Sequence, residues 1–92
     1  MLEQTVGFIG AGQMARALAQ GFVRAHLLAP QQIAVADPVT AASDEFARLV
    51  PGAVIHSGNS AVASTSNVVF LAVKPQQAKF AMQDLRAEHF LF

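Results

Sequence analysis

The stretch that decides the fold runs from Thr5 to Leu18, "TVGFIGAGQMARAL". Val6 to Ile9 is a short apolar run ending in Gly10, the pattern of a strand buried on both faces. From Gln13 the period changes. Met14, Ala17, Leu18, Gly21, Phe22 and Ala25 recur at helical spacing and predict one apolar stripe of a helix. Between strand and helix lies Gly10-Ala11-Gly12-Gln13-Met14-Ala15, a G-x-G-x-x-A turn in which each small residue has a physical task. Gly10 permits the tight exit from the strand, Gly12 lets a pyrophosphate approach the backbone, and Ala15 lets the helix pack closely on the sheet. Unpaired N–H groups in the helix's first turn would face those phosphates, and the helix dipole favours their charge.

The rest of the chain repeats the strand–helix alternation. "LLAPQQ" breaks the first helix at Pro30, and Ile33 to Ala36 reads as a second strand that ends at Asp37-Pro38. A second helix is predicted from Thr40 to Val50, with Ala42, Phe46 and Leu49 inward, and Pro51-Gly52 ends it. Ala53 to Ile55 makes a third strand, Asn59 to Ser64 a short helix, and Asn67 to Val73 a fourth strand. Pro75 suits the first position of a further helix, which would carry Ala78, Met82 and Leu85 inward. "HFLF", His89 to Phe92, looks like the beginning of a fifth strand. Such alternation through short loops builds βαβ units, and right-handed crossovers leave few strand orders open. The expected fold is α/β: a Rossmann-like parallel sheet in the order 3-2-1-4, its fifth strand truncated, flanked by helices.

Composition narrows the function. Hydrophobic residues make up 53% of the chain and charged residues 13%, so some apolar surface is expected to be covered by further chain or by a partner. Arg16, Arg24, Arg48, Lys74, Lys79 and Arg86 are scattered and make no basic stripe, which argues against nucleic acid. The longest apolar runs, such as "VVFLAV", are far shorter than the ~20 residues that span a bilayer, so no membrane partner is expected. The N-terminal "MLEQT" has no basic n-region, and the absence of cysteine fits a cytoplasmic protein. No metal site is expected, since His26, His56 and His89 lie on different elements without paired ligand spacing. A P-loop is excluded, because no G-K-[ST] follows the glycines at the needed spacing.

Asp37 strengthens the dinucleotide reading of the glycine turn. It ends the second strand roughly 20 residues beyond Ala15, where a carboxylate accepts hydrogen bonds from the adenosine ribose hydroxyls. Asp before Pro is also a common turn starter, and a loop-organising role stands beside the ribose one.

With these residues in place the chain resembles the N-terminal domain of pyrroline-5-carboxylate reductase. "VGFIGAGQMARAL", "DP", "GNSAV" and "VVFLAVKPQ" carry the resemblance, in register, from Val6 to about Gln76. Members of that family make proline by moving hydride from a reduced nicotinamide to a cyclic imine. The resemblance implies that Gly10, Ala11, Gly12, Gln13 and Met14 form the phosphate-binding turn, with Gln13 where the family commonly has Asn. It further implies that Asn59 lies close to the adenosine ribose and that Ala72, Val73, Lys74 and Pro75 run under the nicotinamide end. Lys74 would sit near the cofactor phosphates or, equally, in solvent just before a helix.

For the cofactor, the resemblance implies NADP, whereas Asp37 argues for NAD: a carboxylate repels a 2′-phosphate, and no arginine follows at once to hold one. The family also has a helical domain that dimerises and supplies the imine-binding residues. Residues 1–92 are therefore expected to be the dinucleotide-binding domain of a longer reductase, inactive alone and without a catalytic residue of its own. Pairing with a second copy through the sheet edge near Phe90, Leu91 and Phe92 stays open. Two alternatives stand beside this reading. One is another G-x-G-x-x-A oxidoreductase, of the β-hydroxyacid or deazaflavin-linked NADP type; the other is a non-catalytic nucleotide-binding module.

Overall fold

The computed structural model describes residues 2–72 and 90–91. Strands β1 (Val6–Ile9), β2 (Ile33–Ala36), β3 (Val54–Ile55), β4 (Val68–Leu71) and β5 (Phe90–Leu91) alternate with helices α1 (Gln13–Arg24), α2 (Thr40–Leu49) and α3 (Asn59–Thr65). The strands form one parallel sheet in the order β3-β2-β1-β4-β5. The expected 3-2-1-4 order therefore holds, and Phe90–Leu91 extends it as a parallel partner of β4. The helix expected after Pro75 lies outside the described residues.

Alternation along the central strands sorts the core into two layers. Val6 and Phe8 of β1 and Ile33 and Val35 of β2 point to one face, where they join Ala11, Ala15 and Ala19 beside α1 and Phe46 and Val50 at α2. Phe70 of β4 reaches the same face and stacks on Phe8 at 5.3 Å between ring centroids. Ile9, Ala34, Ala36, Val69 and Leu71 point to the opposite face, where Val62 of α3 covers them. Every residue of β1 and β2 is buried, as the apolar runs of both strands require.

The buried face of α1 differs from the expected stripe. Ala15 and Ala19 are fully buried and Leu18, Phe22 and Val23 pack beside them, whereas Met14 is 53% exposed and Ala17, Gly21 and Ala25 are exposed. Hydrophobicity favoured Met14, but backbone proximity decides. A helix leaving a strand through a tight glycine turn can lie close to the sheet only on small side chains. β4 also begins one residue later than expected, because Asn67 belongs to a polar clasp. Its Oδ1 accepts hydrogen bonds from the Thr5 N–H at 2.8 Å and the Thr5 hydroxyl at 3.1 Å. That clasp sets Val6 opposite Val68. At the other end of α1, His26 takes a left-handed φ of 58° while its N–H and that of Leu27 bond to Val23 and Phe22 carbonyls, closing the helix.

Close approach also governs the second face. A Cβ built on Gly7 would lie 2.5 Å from both Ser66 Oγ and Val62 Cγ1, so α3 rests directly on the β1 backbone. Gly7→Ala is expected to push α3 away and to lower unfolding stability by about 1–3 kcal/mol, the usual cost of overpacking. Urea denaturation of the variant beside the parent checks this, and an unchanged midpoint would show that α3 is free to shift.

Candidate functional site

The chain diverges at the carboxyl end of β1. Gly10 leaves the strand with φ 101°, a conformation that favours glycine, and its N–H donates to the Ala36 carbonyl at the end of β2. On the other side the Ala72 N–H, just past β4, donates to the Ile9 carbonyl at 2.7 Å. From this point α1 leads to β2 over one face, while α3 leads from β3 to β4 over the opposite face. Such a reversal opens a crevice beyond the strand ends, the place where open α/β sheets bind ligands.

Gly12 opens the crevice toward α1. It caps the helix in extended conformation, at φ −77° and ψ −169°, and the first turn carries no acidic residue. A Cβ built there meets no described residue within 4 Å. The backbone conformation is open to any L-residue, so neither it nor the described neighbours demand glycine at this position. What the glycine leaves free is the approach to the N–H groups of Gln13, Met14 and Ala15, which lack intrahelical acceptors. These donors, at the positive end of a 12-residue helix, are suited to an anion. Gln13 and Met14 are exposed at the same turn.

Asp37 is built into this turn. Its Oδ2 accepts a hydrogen bond from the Ala11 N–H at 2.8 Å, and its Oδ1 accepts one from the Val39 N–H, also at 2.8 Å. The loop-organising role weighed for this residue is thus physically present, and it reaches beyond its own loop to the glycine turn. Val39 is the partner that the sequence reading did not single out. An Asp-Pro at a strand end carries the signal, because an Asp side chain commonly binds the N–H two residues on.

The structure brings Gly10, Ala11, Gly12, Gln13, Met14, Asp37 and Ala72 to one edge of the sheet. Asn59 opens α3, just after the β3 carboxyl end, and so lies at the same edge. Val73, Lys74 and Pro75 lie outside the described residues. Among the described residues the one ion pair joins Arg48 and Glu45 on α2. The Arg48 hydrogen bond holds the Glu45 carboxyl below its usual range, and Glu45 raises Arg48 in turn. Any stability from the depressed carboxyl is present above its unfolded value and lost as pH falls through the folded one. Both groups are solvated, so the pair matters little for the fold.

A family described as NADP oxidoreductase, coenzyme F420-dependent, matches residues 5–91. The chain belongs to that family. It is 35% identical over 89 residues to the pyrroline-5-carboxylate reductase of Methanosarcina acetivorans, covering 96% of this chain and 32% of that protein. The solved pyrroline-5-carboxylate reductase of Coxiella burnetii superposes with a TM-score of 0.77 at 32% identity, over 87% of this chain and 29% of that one. The Plasmodium falciparum pyrroline carboxylate reductase, solved with NADP bound, gives a TM-score of 0.75 at 25% identity, over 92% of this chain and 29% of that one. The resemblance read from the motifs is borne out, and the chain spans about a third of the length of the relatives it matches. No helix among the described residues is long and apolar enough to cross a membrane.

The Asp37 bonds carry a stability consequence. Asp37→Ala leaves the N–H of Ala11, a fully buried residue, without its acceptor. The expected loss is about 1–3 kcal/mol. Chemical denaturation of this variant measures it, and a loss near zero would mean that water replaces the carboxylate.

Proposed function

We propose that residues 1–92 are the dinucleotide-binding domain of a reductase that converts the cyclic imine 1-pyrroline-5-carboxylate to proline. The family membership and the names of the relatives support the reaction. The observation that carries the binding is Gly12, a glycine that neither its backbone angles nor its described neighbours require, capping a helix whose first-turn donors have no intrahelical acceptor. The residues present fit a pyrophosphate there, since no described residue fills the space over Gly12 and the helix N-terminus favours an anion.

When bound, a reduced nicotinamide supplies the hydride that saturates the imine carbon. The residues of this chain bind and orient. Gln13, Met14 and Ala15 donate backbone N–H groups to the phosphates, and Gly10 turns the chain clear of them. By resemblance, Asn59 lies beside the adenosine ribose, and Ala72, Val73, Lys74 and Pro75 run under the nicotinamide. Groups that hold the imine belong, in this reading, to the part of the relatives that these residues do not match. A second reading, an NADP reductase linked to a deazaflavin, has the family description in its favour and uses the same cradle.

Gly12→Asp tests the cradle without disturbing the fold. Aspartate is a favoured helix N-cap and its charge suits the helix N-terminus, so the melting midpoint should hold or rise. The same carboxylate occupies the phosphate donors and repels a pyrophosphate, so affinity for NADH and NADPH should fall about tenfold or more. Fluorescence titration of both proteins reads this. Equal binding by the variant, or binding of neither dinucleotide by the parent, would overturn the reading.

A further inference from the structure

We propose that Asp37 makes this site selective for NADH over NADPH, because its carboxylate is a fixed part of the phosphate turn and cannot withdraw from a 2′-phosphate. The proposal rests on the dinucleotide-binding reading above. Asp37 stands at the carboxyl end of β2, the position that meets the adenosine ribose in sheets of this topology. An acidic residue there discriminates only if it stays. On a free loop it can rotate outward and admit the extra phosphate.

Here rotation is opposed from two loops at once. The β1–α1 turn donates the Ala11 N–H to Oδ2, and the β2–α2 connection donates the Val39 N–H to Oδ1. Turning the carboxylate breaks at least one of these bonds. Ala11 is fully buried, so its N–H has no water to turn to. Each carboxylate oxygen retains a second acceptor site, which a ribose hydroxyl can fill as a donor. A 2′-phosphate instead brings acceptor oxygens and negative charge against a group that can only accept. Among the described residues Asp37 joins no ion pair that would neutralise it, and Arg48 is already paired with Glu45.

Cofactor choice and the shape of the turn are therefore one property of one side chain. Asp37→Asn removes the charge but offers a single carbonyl oxygen to two N–H donors. Asp37→Ser offers one hydroxyl at shorter reach. Both variants should relax the choice and loosen the cradle together.

The test is fluorescence titration of the parent, Asp37→Asn and Asp37→Ser with NADH and with NADPH, beside denaturant unfolding without cofactor. The parent should favour NADH by about tenfold or more, and both variants should bring the ratio within about threefold of unity. NADH affinity and unfolding midpoint should fall in the same variants. A purely structural Asp37 would weaken both dinucleotides alike and leave the ratio unchanged, which would overturn the proposal. Parent preference for NADPH would overturn it alone, whereas binding of neither dinucleotide would overturn the functional reading beneath it. The two variants differ in polarity and reach, so whichever folds supplies the ratio.

Discussion

The structure depends on how closely two helical layers can approach β1. On one face Ala11, Ala15 and Ala19 let α1 settle on the sheet; on the other Gly7 lets Val62 and Ser66 of the α3 segment touch the strand backbone. Larger side chains at these positions would hold the helices off and open gaps that the small core could not refill. The aromatic residues fill what remains, with Phe8 fully buried between Phe46 and Phe70. Because α1 is pressed against the end of β1, its first turn faces the crevice at the strand ends. Packing and function thus share one cause.

The second tie is polar. Asp37 joins the end of β2 to the turn after β1, while backbone bonds from Gly10 to Ala36 and from Ala72 to Ile9 tie the same turn to both neighbouring strands. A glycine-rich turn is otherwise the most freely moving part of such a fold, since glycine loses the most conformational freedom on ordering. Holding it by three hydrogen bonds, from the β2 and β4 sides, presents the first-turn N–H groups in a fixed direction. Preorganised donors need no rearrangement when an anion arrives, which favours affinity.

Much of this was legible in the sequence, for identifiable reasons. Gly10 and Gly12 bracket a change from strand to helix period, and that change can be read without any tertiary information. Ile33 to Ala36 is bounded by Pro30 and by Asp37-Pro38, so its limits were set by local chemistry alone. The face of α1 is legible only in part: the glycine motif places Ala15 against the sheet, whereas hydrophobicity alone turns Met14 inward and the close approach to β1 turns it out. Asn67 reads as strand, since nothing local says that its amide will reach Thr5 across 62 positions. For Asp37 the position was legible and the partners were not: Ala11 lies 26 residues away, and only the folded sheet brings the two together.

The most direct test of the central claim is an amide NMR titration of the protein with NADH. Binding at the β1–α1 turn predicts that the largest shifts fall on Gly12, Gln13 and Met14, with Val39 following through its bond to Asp37. Shifts confined elsewhere, for example to the cleft of about 200 Å³ lined by Gln20, Val23, Arg24 and Leu49, would contradict it. So would a spectrum that NADH leaves unchanged.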